Sequence, residues 1–237
     1  MTRVSVIVEG PTERSFVQQV LAPLLWASEV YLTATILGAP RQKGGRTNYA
    51  RLKKDVLRQL KEDRTAYCST MLDFYGLGKG FPGTPLPPNL KNVGKVVYLE
   101  RAIKDDIVAE APDLRPDVRF LPYLQLHEYE GLLFSDPEAF ASAIHQGLPE
   151  ALASSISRFD LANEFRSIRQ GQGFQTPEDI DDSPDTAPSK RVLSLCPSYN
   201  KVLDGTRAAS AVGIEAMRHE CPHFREWVES LGQLRAQ

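Results

Sequence analysis

Val4-Ser5-Val6-Ile7-Val8-Glu9-Gly10-Pro11-Thr12-Glu13 lies near the start of the chain and decides its fold class. A short run rich in β-branched residues, closed by glycine and proline, reads as a strand ending in a sharp turn. Phe16, Val17, Val20, Leu21, Leu24 and Leu25 then recur at helical spacing. Thr12 is the expected cap of that helix, and Pro23 is expected to kink it or help end it. Tyr31 to Leu37 reads as a second strand. Thr47 or Asn48 is expected to cap a helix with the apolar stripe Leu52, Val56, Leu57 and Leu60. Tyr67 to Leu72 reads as a third strand, Asn92 to Glu110 as a helix, and Val118 to Leu126 as a fourth strand. Strict β-α-β-α-β-α-β alternation predicts an α/β fold with a mainly parallel sheet flanked by helices.

The pattern changes twice. Phe74 to Leu90 is crowded with glycine and proline and is expected to be a long irregular loop. Beyond Phe134 only helical spacing is found. Asp136 is expected to cap a helix running through His145, with helical spacing continuing to Arg169. A polar loop is expected over Gln175 to Ser189. Helical pieces follow from Lys190 to Leu234, broken near Pro197, Gly205 and Pro222. The chain therefore divides into an α/β core, residues 1–135, and a helical extension, residues 136–237.

With 237 residues, 42% hydrophobic and 24% charged, the chain can bury a full core. A formal net charge of -2 argues against a nucleic-acid coat protein, but not against a nuclease, whose cations can cluster locally. No apolar run approaches the roughly 20 residues of a membrane helix. No signal-peptide pattern opens the chain, and Cys68, Cys196 and Cys221 do not form a disulfide framework. The expectation is a cytoplasmic protein with no membrane partner.

Three acid-bearing segments directly follow strands: Glu9-Gly10, Asp73, and His127-Glu128-Tyr129-Glu130. In an open α/β sheet the carboxyl ends of the strands form the ligand crevice. Converging carboxylates repel unless a cation neutralises them, so magnesium or manganese is the expected guest. Glu9, Asp73 and Glu128 are the expected ligands, with Glu130 second to Glu128. Glu13 is expected to complement the helix dipole. His127 is a candidate proton carrier or phosphate ligand. Lys190, Arg191 and Lys201, and more loosely Arg41, Lys43 and Arg46, are candidate phosphate contacts. Ser189 is expected to cap a helix whose first turn carries Lys190 and Arg191, an arrangement that calls for an anion. His219-Glu220-Cys221-Pro222-His223 lacks the second ligand group of a structural zinc site and reads as a helix end. No phosphate-loop or dinucleotide fingerprint occurs.

Val6 to Glu13, Asp73-Phe74-Tyr75-Gly76 and Leu126 to Phe134 together resemble a Toprim-like family found beside ATPases in bacterial phage-defence loci. Ala187 to Arg191, Tyr199-Asn200-Lys201 and Pro222 to Trp227 resemble its C-terminal signatures, so the resemblance spans nearly the whole chain. The wider Toprim superfamily, which includes nucleases of the overcoming-lysogenization-defect type, places a glutamate after its first strand and an Asp-x-Asp pair after a later one. Glu9 matches the glutamate and Asp73 the first aspartate; Tyr75 stands where the second would be. The resemblance implies a metal-dependent nuclease acting on DNA or RNA in anti-phage defence, with an ATPase partner and self-association open to it. Lys190, Arg191 and Lys201 would grip the phosphate backbone, and Glu9 or Glu130 would take a proton. The missing second aspartate keeps a second expectation in view, an inactive sensor or regulatory subunit on the same scaffold. A phosphatase or nucleotide hydrolase using the same crevice is a third.

Overall fold

β1, Thr2–Val8, is buried along nearly its whole length, as a strand covered on both faces must be. It pairs in parallel with β2, Val30–Ile36, and with β3, Tyr67–Asp73. β4, Phe120–Leu121, and β5, Leu124–Gln125, both pair in parallel with β3. The result is a five-stranded sheet in the order β2-β1-β3-β4, with β5 beside the carboxyl end of β3. The expected α/β class with a mainly parallel sheet is what the chain forms. These features come from a computed structural model that describes residues 1–38, 47–171, 173–180 and 186–236.

Two compact units emerge, Met1–Leu126 with Ser230–Gln237, and His127–Glu229. The division falls ahead of the boundary after residue 135 read from the sequence. The chain end returns to the first unit, where the Tyr67 hydroxyl donates to the Arg235 carbonyl.

In the first unit, α1 spans Pro11–Phe16 and α2 spans Ala22–Leu25, joined by one π turn, Val17–Leu21. Pro23 carries no N–H to donate to the preceding turn, and a π turn is a regular way to absorb that loss. The cap of α1 is Gly10 rather than the expected Thr12. Pro11 occupies the first helical position, and Glu13 reaches back to accept the Gly10 N–H at 2.9 Å. α3, Tyr49–Glu62, is capped by Asn48, which accepts from the N–H groups of Ala50 and Arg51. α4 spans Asn92–Glu110, as its spacing predicts. Ile7, Leu52, Val56, Leu60, Leu72, Leu99, Ile103 and Phe120 form one core cluster, joining the sheet to α3 and α4.

The expected fourth strand from Val118 to Leu126 is shorter and broken. Pro116 starts a helical turn, α5, Pro116–Arg119, which takes Val118 out of the sheet. Pro122 cannot donate to the ladder. The Thr70 hydroxyl spans the break, accepting from the Tyr123 N–H and donating to the Tyr123 carbonyl, both at 2.8 Å. Arg119, only 3% exposed, ties the first unit together. Its guanidinium donates to the carbonyls of Leu60, Asp63, Ala66 and Leu114, binding the C-terminal end of α3 and the turn after α4.

The second unit is helical. Tyr129–Ser135 form 3-10 turns, and Asp136 caps α6, Pro137–Gly147, as expected. α7, Glu150–Ala153, and α8, Arg158–Gln170, follow. α9 spans Pro188–Leu195, α10 Leu203–Val212, α11 Ile214–Glu220, and α12 Pro222–Gly232, which runs back to the first unit. Phe134, Phe140 and Phe165 pack with ring centroids 4.4–5.5 Å apart. The break expected at Gly205 falls at Gly213 instead, where φ is +80°. Gly205 lies inside α10 and its carbonyl accepts from the buried Tyr129 hydroxyl.

Candidate functional site

Glu9 and Asp73 leave the same edge of the sheet. β1 and β3 are parallel neighbours with Val8 opposite Met71, so Glu9 and Asp73 follow at the carboxyl ends of adjacent strands, one register step apart. Each is intermediate in exposure. After Asp73 the chain tightens into a 3-10 turn, Phe74–Gly76. The Glu9 carboxylate lies over that turn: a Cβ placed on Gly76 would meet both its oxygens at 3.2 Å. The turn is pinned by the Gly76 carbonyl, which accepts from the Thr47 N–H at 3.0 Å. Tyr75, in the middle of this turn, is 50% exposed.

Gln125 completes this edge, and it was not singled out from the sequence. It is the register partner of Asp73 and only 1% exposed. The Tyr123 hydroxyl donates to its Oε1 at 2.7 Å, while its buried Nε2 meets no hydrogen-bond partner among the described residues. The available signal was a lone amide between Leu124 and Leu126 at a strand end.

The other expected site residues lie in the second unit. Glu128 and Glu130 are buried, 4% and 2% exposed. The Lys201 ammonium donates to Glu128 Oε1 at 3.2 Å and lies 3.5 Å from Glu130 Oε1. Glu128 Oε2 accepts the Ser189 N–H at 2.8 Å. Ser189 is therefore not the expected cap of α9: Ala187 is, and Ser189 sits inside the first turn. The anion anticipated at this helix start includes the chain's own Glu128 carboxylate, held against the positive dipole end. Lys201 thus sits against carboxylates. Burial pushes the nearby Tyr199 phenol far above its ordinary pKa, and Glu130 adds to the shift.

Lys190 is exposed, whereas Arg191 donates to the Thr186 carbonyl at 2.6 Å and stacks 5.9 Å over Phe174. His127 is partly exposed at the start of the second unit. Arg41, Lys43 and Arg46 lie outside the described residues. Glu178, also missed, is 1% exposed and accepts from the N–H groups of His223 and Phe224 at the start of α12. Burial holds its carboxyl above the usual carboxylate range, opposed by those two donors. Among the described residues no group of three or more His, Cys, Asp and Glu side chains gathers as a metal cage.

Fold and edge together define a parallel α/β protein with an acid pair at the carboxyl ends of adjacent strands. The chain belongs to the family described as Domain of unknown function (DUF4276), whose model matches residues 8–232. Neither a curated protein nor a solved structure matches it. Among the described residues no helix is long and apolar enough to cross a membrane.

Proposed function

We propose that this chain is a magnesium- or manganese-dependent phosphodiesterase acting on DNA or RNA, with Glu9 and Asp73 as its metal-holding pair. The observation that carries this reading is the delivery of both carboxylates to one sheet edge, with Gly76 leaving room for the Glu9 oxygens. The donor set fits the ion. Magnesium is commonly held by one or two carboxylates, with waters and substrate phosphate filling its other positions. Bound there, it would polarise the phosphate and supply a water of lowered pKa.

The chain's own residues then have distinct tasks. Glu9 and Asp73 hold charge at the strand ends. Glu128, whose oxygens meet Ser189 and Lys201, orients the start of α9 and the Lys201 head. Glu130 and His127 are proposed as proton carriers on the sequence reading. Lys190, Arg191 and Lys201, with Arg41, Lys43 and Arg46, are proposed as phosphate contacts. The ATPase partner, any self-association, the cytoplasmic setting and the anti-phage role rest on the sequence reading and the family resemblance.

The test is incubation of purified protein with DNA, RNA and tRNA, with and without Mg²⁺ or Mn²⁺. Metal-dependent cleavage that vanishes in Glu9→Gln and Asp73→Asn is the expected result. The exposed Tyr75 favours a second reading, a Toprim-like scaffold that binds but does not cut. Polymers left intact in every condition, with Mn²⁺ still bound, would select it. Phosphate released from free nucleotides alone would instead mark a nucleotide hydrolase.

A further inference from the structure

Glutamine is rarely buried without partners for both ends of its amide. The Oε1 of Gln125 accepts from the Tyr123 hydroxyl at 2.7 Å, and the Nε2 donors lie at the other end of the amide. Those donors are buried and meet no acceptor among the described residues. An unmet buried donor costs about 1–3 kcal/mol, so a site that retains one has a use for it. The position supplies the use. Register partners in a parallel pair leave the sheet on the same face, so Gln125 stands beside Asp73 at the carboxyl edge.

We propose that Gln125 is a phosphate-binding residue, its Nε2 donating to a non-bridging oxygen of a phosphoryl group held at the Asp73 edge. This rests on the reading of Glu9 and Asp73 as a metal pair, and it adds a neutral donor to that site. A neutral amide suits the place. It recognises an anionic oxygen without competing with the metal for the two carboxylates, as a lysine or arginine would. Tyr123 acts as the positioning residue, since its hydroxyl bonds the Oε1 end of the amide and anchors the side chain.

The experiment uses the full chain, Mn²⁺ and inorganic phosphate. Calorimetry first gives the Mn²⁺ affinity, and phosphate is then titrated into the Mn²⁺-loaded protein. Gln125→Met keeps the volume and removes the donor. It is expected to bind Mn²⁺ within about twofold of wild type and to weaken phosphate by about tenfold, the size of one hydrogen bond to a charged group. Gln125→Glu keeps the acceptor for Tyr123 and replaces the donor by an anion, so it is expected to weaken phosphate further. It also serves if the methionine variant does not fold. Wild-type phosphate affinity in either variant, with Mn²⁺ bound, overturns the role of Gln125 and leaves the metal pair standing. Failure of the wild-type chain to bind Mn²⁺ overturns both.

Discussion

Gly76→Ala separates the candidate site from the stability of the fold. The substitution adds one methyl group. Gly76 is not among the glycines at positive φ, so alanine is compatible with the backbone there. Reduced freedom of the unfolded chain should then stabilise the protein by about 0.4–1 kcal/mol. The new Cβ, however, would sit 3.2 Å from both oxygens of Glu9, and the carboxylate must give way by a few tenths of an ångström. Metal sites tolerate ligand distances within about 0.2 Å, so that displacement is enough to spoil one ligand. Losses from disturbing a ligand's support run to about 10- to 100-fold, or about 1.4–2.7 kcal/mol. The expected signature is opposite movement of two quantities, with the unfolding midpoint held or raised and Mn²⁺ affinity lowered. Calorimetric titration of Mn²⁺ beside thermal melts of the metal-free protein reads both, and Glu9→Gln provides the full loss for scale. Wild-type Mn²⁺ affinity in Gly76→Ala would refute the idea that the Glu9 carboxylate over this turn holds the ion.

Two further outcomes follow from buried charge. Arg119→Met leaves the carbonyls of Leu60, Asp63, Ala66 and Leu114 without their common donor, and at about 1 kcal/mol each it should cost about 3–5 kcal/mol in urea unfolding. A loss below about 1 kcal/mol would show that water replaces the guanidinium freely. Glu178 has a folded pKa raised by burial, so it favours folding most when protonated, and its contribution falls as pH rises from the unfolded value through the folded one. Glu178→Gln keeps a carbonyl oxygen for the start of α12 and removes that titration. Its stability relative to wild type should rise as pH increases above the ordinary carboxylate range. A pH-independent difference would refute the assignment.

Much of the fold was legible because local and global signals agreed. The apolar run of β1, the cap expected at Thr47 or Asn48, the helical span of α4 and the cap at Asp136 each marked an element without tertiary context. The misread points have a common cause, a local preference overridden by a nearby backbone constraint. Val118 has strand chemistry, yet Pro116 favours a helical start two residues earlier. Thr12 has capping chemistry, yet Pro11 already occupies the first helical position and moves the cap to Gly10. Gly205 looks like a break, yet Tyr129 needs its carbonyl from within α10. The proline at position 23 told of a disturbed helix, but spacing alone does not distinguish a kink from a π turn.

The site was harder to read, because a carboxylate after a strand and a carboxylate before a helix look alike in a sequence. The structure separates them by what their oxygens meet. Glu13 closes on the Gly10 N–H, Glu128 on the Ser189 N–H, and Glu178 on the N–H groups of His223 and Phe224. For each of these acids, holding a helix start against the dipole is itself a reason to be there. Glu9 is placed differently, with its oxygens over the turn that follows Asp73 on the neighbouring strand, where a side chain at Gly76 would crowd them. That distinction narrows the proposed metal set from Glu9, Asp73 and Glu128 to the first two. On the proposed reading, an edge with two carboxylates has charge enough for a cation, and the neutral Gln125 beside Asp73 would supply a donor for the anion that the cation would bring.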